Sequence, residues 1–289
     1  QSDINFLLKD DILNLSDYFY AFSLSLNILF KKIPKTFFRG LDITSLIKSE
    51  LFFYSFNFDI IEALLNYRFV YRLKAKKFNI AKFIDWNENQ LVNKGFMLGF
   101  NKFMPDVKTI GYRGIIDSGM RRINLHPTVF ERLSNLTPNL FLVIGKGLVE
   151  NLKEFDKEIN VLVGPSFRFN YLWENHSSFK SFEEFIILVS LPISLKESNS
   201  ILNLLKRTLK LIPTNFLLKV RVKYHPTYSN SKIKKLLHIT DYRVEIIYSS
   251  FIESIFDSRL LISGPSSTCV EAISFGMPVV VAGSNLGVL

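Results

Sequence analysis

Cysteine is almost missing from this chain: Cys269 is the only one in 289 residues. A single thiol excludes an internal disulfide and a cysteine-built zinc site, and it fits a reducing cytosol. Histidine is scarce as well. His126, His176, His225 and His238 are far apart and lack supporting cysteines or paired carboxylates, so no metal motif is spelled out. Acid is in deficit, with 26 Asp and Glu against 36 Lys and Arg and a formal net charge of +10. The cations are scattered, in clusters as short as Lys31-Lys32, Lys74-Ala75-Lys76-Lys77 and Lys232-Ile233-Lys234-Lys235. No Arg/aromatic recognition motif accompanies them, which argues against a nucleic-acid partner and for a solvated basic surface, with a peripheral contact to anionic membrane as the second use. Long apolar runs are absent too. The longest early one, Phe19 to Phe30, is too short and too interrupted by Ser and Asn to span a bilayer, no signal-peptide cleavage pattern follows it, and it reads as a core helix. Gly145-Lys146-Gly147 lacks the Walker spacing and the following Ser or Thr, which excludes a nucleoside-triphosphatase loop.

What is present is an α/β alternation, in a chain long enough for two domains of roughly 100–200 residues each. The second half is the tidier. Strands are predicted at Phe185–Pro192, Leu217–Tyr224, Val244–Tyr248 and Leu260–Ile262. Between them lie helices over Ile201–Leu211, from Ser229 or Asn230 to His238, and over Phe251–Phe256 capped by Ser249 or Ser250. Such alternation implies a parallel sheet. In the first half, long helices are predicted from Asp11 to Phe30 and from Asp42 to Tyr71. Strands follow at Ala81–Trp86, Val107–Tyr112, Leu140–Ile144 and Val161–Val163, with a helix from Asn87 to Met104. Gly164-Pro165 and the polar, aromatic run to Ser181 read as a linker, which sets domains at 1–175 and 176–289. The start at Gln1 rather than Met, and the end at Leu289 soon after a strand, are expected of a piece trimmed at both ends.

The chemistry concentrates at Ile262-Ser263-Gly264-Pro265-Ser266-Ser267-Thr268-Cys269-Val270-Glu271-Ala272 and onward to Gly283. A buried strand ends at the Gly-Pro pair and Ser266 or Ser267 caps the next helix, so backbone N–H groups, hydroxyls and the helix dipole offer a phosphate-sized cradle. Glu271 lies one helical turn on, Gly276 closes the helix, and the valines after Pro278 read as a parallel strand buried on both faces. His225-Pro226 ends another strand on the side where open α/β sheets bind ligands. There a ring N–H can meet a phosphate oxygen. Arg168, in the linker, can reach a phosphate or carboxylate of a bound ligand. Asp85-Trp86-Asn87-Glu88-Asn89-Gln90 runs from strand into helix and offers Glu88 as a carboxylate, with Asn87 as the helix cap.

The block Ser-Gly-Pro-Ser-Ser-Thr-x-x-Glu-Ala followed by Gly-x-Pro-Val-Val resembles the donor-binding segment of GT-B glycosyltransferases. In that family the hydroxyl turn holds the nucleotide phosphate and the glutamate binds a ribose or sugar hydroxyl. The resemblance assigns donor contacts to Ser266, Ser267, Thr268 and Glu271. With His225-Pro226 added, the pattern is similar to bacterial transferases with CMP-linked donors, the sialyl and Kdo transferases of capsule assembly, which implies that His225, Pro226, Ser266 and Ser267 hold CMP. Glu88 with Lys94-Gly95, Pro105, Lys108 and Gly111-Tyr112-Arg113-Gly114 resembles surface-polysaccharide transferases more loosely. The acidic-pair-Gly motif of sialyltransferases is absent, since Asp10-Asp11 precedes Ile12, so Glu88 would be the catalytic carboxylate.

The resemblance thus implies two Rossmann-like domains facing a cleft, the first for acceptor and the second for nucleotide sugar. The implied enzyme is cytoplasmic, at the inner face of the membrane, and moves a sugar from a CMP-sugar, favoured over UDP or GDP, to a glycan or lipid-linked glycan of a surface polysaccharide. Neither a metal nor any cofactor beyond the nucleotide-sugar co-substrate is expected. Three rivals stand beside it: a CDP-polyol phosphotransferase of teichoic-acid type, which tends to place Asp where this chain has Glu271, a nucleotide-sugar epimerase, and a non-catalytic glycan- or nucleotide-binding subunit.

Overall fold

A computed structural model of the chain describes residues 6–55, 57–116, 125–174, 183–229 and 241–282. They fall into two compact units, Gln1–Ser166 and Phe167–Leu289. In the first, helix α1 (Leu15–Asn27) precedes a hairpin, β1 (Phe37–Phe38) with β2 (Leu41–Asp42), and then α2 (Thr44–Ser55) and α3 (Phe58–Ala75). The alternating part runs β3 (Lys82–Trp86), α4 (Leu91–Phe103), β4 (Lys108–Arg113), α5 (Val129–Leu133), β5 (Leu140–Val143), α6 (Gly147–Leu152) and β6 (Val161–Val163). The four strands β3 to β6 pair in parallel in sequence order.

Three helix expectations need correction here. The helix foreseen from Asp11 to Phe30 runs only over Leu15–Asn27, and it is not a core helix, since Phe19 and Phe22 are exposed. The single helix foreseen from Asp42 to Tyr71 is two, because Asn57 caps α3 with its side-chain oxygen on the Asp59 N–H at 2.8 Å. The helix foreseen from Asn87 starts at Leu91. Asn87 is buried and its Oδ1 accepts the Asn89 N–H at 3.0 Å, Asn89 turns to φ +57, and Gln90 becomes the cap. An Asx turn therefore takes the place of the direct strand-to-helix step.

The core of this unit is made where α3 meets α4: Val70, Leu73, Phe100, Met104 and Val107 cluster with Ile12. Gly95 and Gly99 permit the approach. A Cβ on Gly95 would lie 1.9 Å from the Ala63 carbonyl oxygen, and one on Gly99 would lie 2.9 Å from Val70 Cβ. The Gly95→Ala variant is therefore expected to lose about 1–3 kcal/mol in urea unfolding, since backbone cannot yield as a side chain can. Asp17, 0% exposed, ties α1 to α3, with Arg68 Nε and Arg72 Nε each at 2.7 Å. Burial pushes its carboxyl up, but the hydrogen bonds from Arg72, the Asn14 N–H and Arg68 outweigh burial and hold it below the ordinary 3.8. Because the folded value is the lower one, this stabilisation is present above the unfolded value and is lost as pH falls through the folded one. Asp17→Ala, which strands two partly buried guanidiniums, is expected to cost about 3 kcal/mol at neutral pH and to flatten the acid limb of the stability curve.

The second unit contains α7 (Tyr171–Glu174), β7 (Phe185–Ser190), α8 (Leu195–Leu209), β8 (Leu218–Lys223), β9 (Val244–Ile247), α9 (Phe251–Phe256), β10 (Leu260–Ser263), α10 (Ser267–Ser274) and β11 (Val279–Val281). Its five strands are parallel in the order β11-β10-β7-β8-β9. Helix α8 starts earlier than expected because Ser194 caps it through the Glu197 N–H. Its Ile201, Leu202 and Leu205 pack with Val189, Val220 and Val222. Another cluster joins Leu188 and Leu261 to Ile255 and Phe256 of α9 and Ala272 of α10. The sheet is thus covered on both faces. The strand after Pro278 is not buried on both faces: β11 is the edge of the described sheet, and Val280 and Val281 are exposed. The basic helix foreseen from Ser229 or Asn230 to His238 lies outside the described residues. No helix of the described residues is long and apolar enough to cross a membrane.

Candidate functional site

The first strand of the second unit, β7, lies between β8 and β10, so the order reverses about it. In such a sheet ligands bind beyond the carboxyl ends of the strands at the reversal, where successive loops diverge. Ser190, Lys223 and Ser263 form one row across β7, β8 and β10 and mark that edge. The loops beyond it are tied together through β7. The Ser263 hydroxyl donates to the Ser190 carbonyl at 2.9 Å, and a Cβ on Gly264 would lie 3.5 Å from Pro192 Cγ. On the other side, the Tyr228 hydroxyl is 2.9 Å from the Pro192 carbonyl oxygen.

Ser266 is the N-cap of α10, and its carbonyl accepts the Cys269 N–H at 3.1 Å. Its hydroxyl lies 2.5 Å from Thr268 Oγ1 and 3.3 Å from Ser263 Oγ, so three hydroxyls line one turn. Arg168 donates from Nη2 to Ser267 Oγ at 3.1 Å. The arginine singled out in the linker therefore stands on the hydroxyl turn. Glu271, 8% exposed, accepts a hydrogen bond from the Tyr171 hydroxyl. Burial and that carboxylate push the Tyr171 phenol well above its ordinary value, so it remains a donor at all working pH. Tyr171 escapes sequence reading because it is 100 residues from its partner.

His225 and Pro226 follow β8 after one residue, Tyr224. The Nδ1 of His225 is 2.8 Å from Thr227 Oγ1 and 3.3 Å from the Thr227 backbone nitrogen. With Nδ1 accepting that N–H, the neutral ring carries its proton on Nε2, which becomes the donor available to a ligand. His225 and the hydroxyl turn follow β8 and β10, the strands on either side of β7, which are two strand spacings or about 10 Å apart. The two residues before His225 are held as well. The Lys223 ammonium donates to the Ser249 carbonyl, and burial lowers its pKa. The Tyr224 hydroxyl is buried with no hydrogen-bond partner among the described residues, and burial with nearby Tyr248 pushes its pKa up to about 12.

Glu88 belongs to the first unit, in the Asx turn after β3. Its Oε1 accepts the Trp86 indole N–H at 2.9 Å and its Oε2 accepts from Gln90 Nε2 at 3.3 Å. Beside it, Asp85 accepts from Asn93 Nδ2 at 2.7 Å, and burial raises its carboxyl despite that bond. The sequence offers Glu88 and not Asp85 as the carboxylate of this segment, because nothing local marks a strand residue as half-buried against a helix. Among the described residues no cluster of three His, Cys, Asp or Glu side chains could hold a metal ion.

No family model matches the chain, and no curated protein matches it. Solved structures do. S. aureus MnaA in complex with UDP is 16% identical at a TM-score of 0.50, over 91% of this chain and 69% of that one. A provisionally named UDP-N-acetylglucosamine 2-epimerase from Listeria monocytogenes is 12% identical at a TM-score of 0.50, over 96% of this chain and 77% of that one. The fold is GT-B, with two Rossmann-like domains. At these identities the likeness is one of fold, and the side chains of the site rest on the geometry above. Tyr171→Phe tests the least expected contact: it removes the hydroxyl from a buried carboxylate and is expected to cost about 1.5–3 kcal/mol in urea unfolding.

Proposed function

We propose that the chain is a glycosyltransferase of GT-B type, taking a sugar from a nucleotide-sugar donor held by its second unit and passing it to a surface-polysaccharide acceptor, free or lipid-linked, on its first. The reading places it in the cytoplasm, working at the inner face of the membrane. The observation that carries it is the meeting of the Ser266-Ser267-Thr268 turn, Arg168 and the buried Glu271 at the strand-order reversal. A phosphate suits the first-turn N–H groups, the hydroxyls and the guanidinium, and a ribose or sugar hydroxyl suits Glu271. In the transfer, the acceptor oxygen attacks the anomeric carbon and the bond from that carbon to the phosphate oxygen breaks. The nucleotide leaves with the electron pair, and Glu88 takes the acceptor's proton. Arg168, the turn and the Nε2–H of His225 stabilise the charge on the leaving phosphate.

His225-Pro226 beside the Ser-Ser turn supports a CMP-sugar. The UDP and UDP-N-acetylglucosamine in the names of the two solved structures support a UDP-sugar. Both donors are pyrimidine nucleotides. Thermal-shift titration with CMP, UDP and GDP and their sugars is expected to show stabilisation by one pyrimidine series, and Ser266→Ala with Ser267→Ala to weaken it about tenfold. No shift with any nucleotide sinks the reading. Glu88→Gln is expected to cut transfer at least about a hundredfold with nucleotide affinity unchanged. If Asp85→Asn abolishes transfer and Glu88→Gln does not, the base is Asp85. The name of the Listeria monocytogenes structure favours a second reading, a nucleotide-sugar epimerase, which would interconvert the donor sugar without any acceptor.

A further inference from the structure

The hairpin between α1 and α2 displays apolar side chains that the first unit does not cover. Phe37, Phe38 and Leu41 are 62%, 59% and 69% exposed, and Phe30 just before them is 84% exposed. Arg39 at φ +50 and Gly40 at φ +84 form the two-residue turn, in which the positive φ values match a type I′ hairpin. Phe38 stands opposite Leu41, and Phe37 opposite Asp42, so the two faces of the ribbon both carry uncovered apolar groups. An isolated ribbon of this size is marginal in water. Its base, however, is held: Asp42 Oδ1 accepts the Thr44 N–H at 2.9 Å, Thr44 Oγ1 accepts the Thr36 N–H at 2.9 Å, and Ile43 N–H reaches the Thr36 carbonyl at 2.9 Å. The tip is thereby presented outward from a fixed stem.

Its charge indicates what it meets. Residues 31–48 hold Lys31, Lys32, Lys35, Arg39 and Lys48 against one acid, Asp42, which is engaged in the stem. Arg39 lies over the Phe38 ring at 5.4 Å, so cation and aromatic share one tip. A second copy docked through this face would set five cations against five. An anionic surface with an apolar interior satisfies both features at once, the rings entering the headgroup boundary while the cations stay at its level. We infer that the Phe37–Asp42 hairpin, with Phe30 and the lysines leading to it, is the docking surface of the chain for an anionic lipid bilayer. It uses none of the residues assigned to the donor site, so this inference and the transferase reading fail separately.

Co-sedimentation of the full chain with vesicles of phosphatidylcholine alone, and of phosphatidylcholine with phosphatidylglycerol, tests it. Binding is expected to the mixed vesicles only and to weaken as salt rises. The pair Phe37→Ser and Phe38→Ser, and separately Lys31→Glu and Lys32→Glu, are each expected to weaken it about tenfold or more, with thermal melting and nucleotide binding unchanged. The charge pair sits on exposed side chains and keeps the test intact where the Phe pair disturbs folding. Equal binding to neutral vesicles, equal binding by folded variants, or a wild-type dimer that these variants turn into monomer would each overturn the inference.

Discussion

The parallel pairing of β7 with β8 on one side and β10 on the other is the constraint on which the proposed donor site depends. A strand bonded along both edges cannot be displaced without unpairing two ladders, and Leu188 and Val189 seal it from both faces. Helix α8 packs with one cluster, and α9 and α10 with the other. The chain thus leaves the sheet toward opposite faces, and the loops beyond the carboxyl ends of β7 and β10 part. Ser263 bridges the strands beneath that parting with one buried hydroxyl. The hydroxyl turn proposed for the donor hangs on the rim so created, and Arg168 reaches it from the segment before β7.

Charge in the second unit follows the same plan. A phosphate-sized turn is lined by donors and has Arg168 on it, while the carboxylate a helical turn away is buried and met by a phenol. The two chemistries are separated by the length of one turn of α10, which suits a ligand with an anionic end and a hydroxyl-rich end. The first unit solves a different problem. Its helices must approach closely enough for Phe100 and Val70 to share one core, and two glycines on a single face of α4 allow it. Asp17 then locks α1 against α3 by charge, beside the apolar cluster of Ala21 and Leu65.

Strand positions were legible in the sequence because their signals are local. Leu218, Val220 and Val222 alternate with Lys219, Arg221 and Lys223 at the period of a strand, and the structure buries the first set. The turn at Gly264 to Ser267, the helix after it and Gly276 at φ +82 were legible for the same reason. Helix starts were less so. Asn87 looks like a cap in sequence, yet it is drawn into the sheet, where its N–H meets the Tyr112 carbonyl at 2.9 Å and its side chain makes the turn. Tertiary pairing overrode a local preference worth about 1 kcal/mol. The valines of β11 carry the composition of a buried strand, but burial is decided by what lies beside a strand, and β11 lies at an edge.

By itself, then, the sequence determined the alternation of strands and helices, the hydroxyl turn and the strand-end His-Pro, because each depends on residues within a few positions of one another. Only the tertiary structure decided that β7 is central, that Arg168 reaches Ser267 across 99 positions, that Tyr171 meets Glu271, and that the half-buried Asp85 meets Asn93 of α4. Those are meetings of distant segments. They arise when burial of two apolar faces fixes the order of strands, and no local period encodes that order.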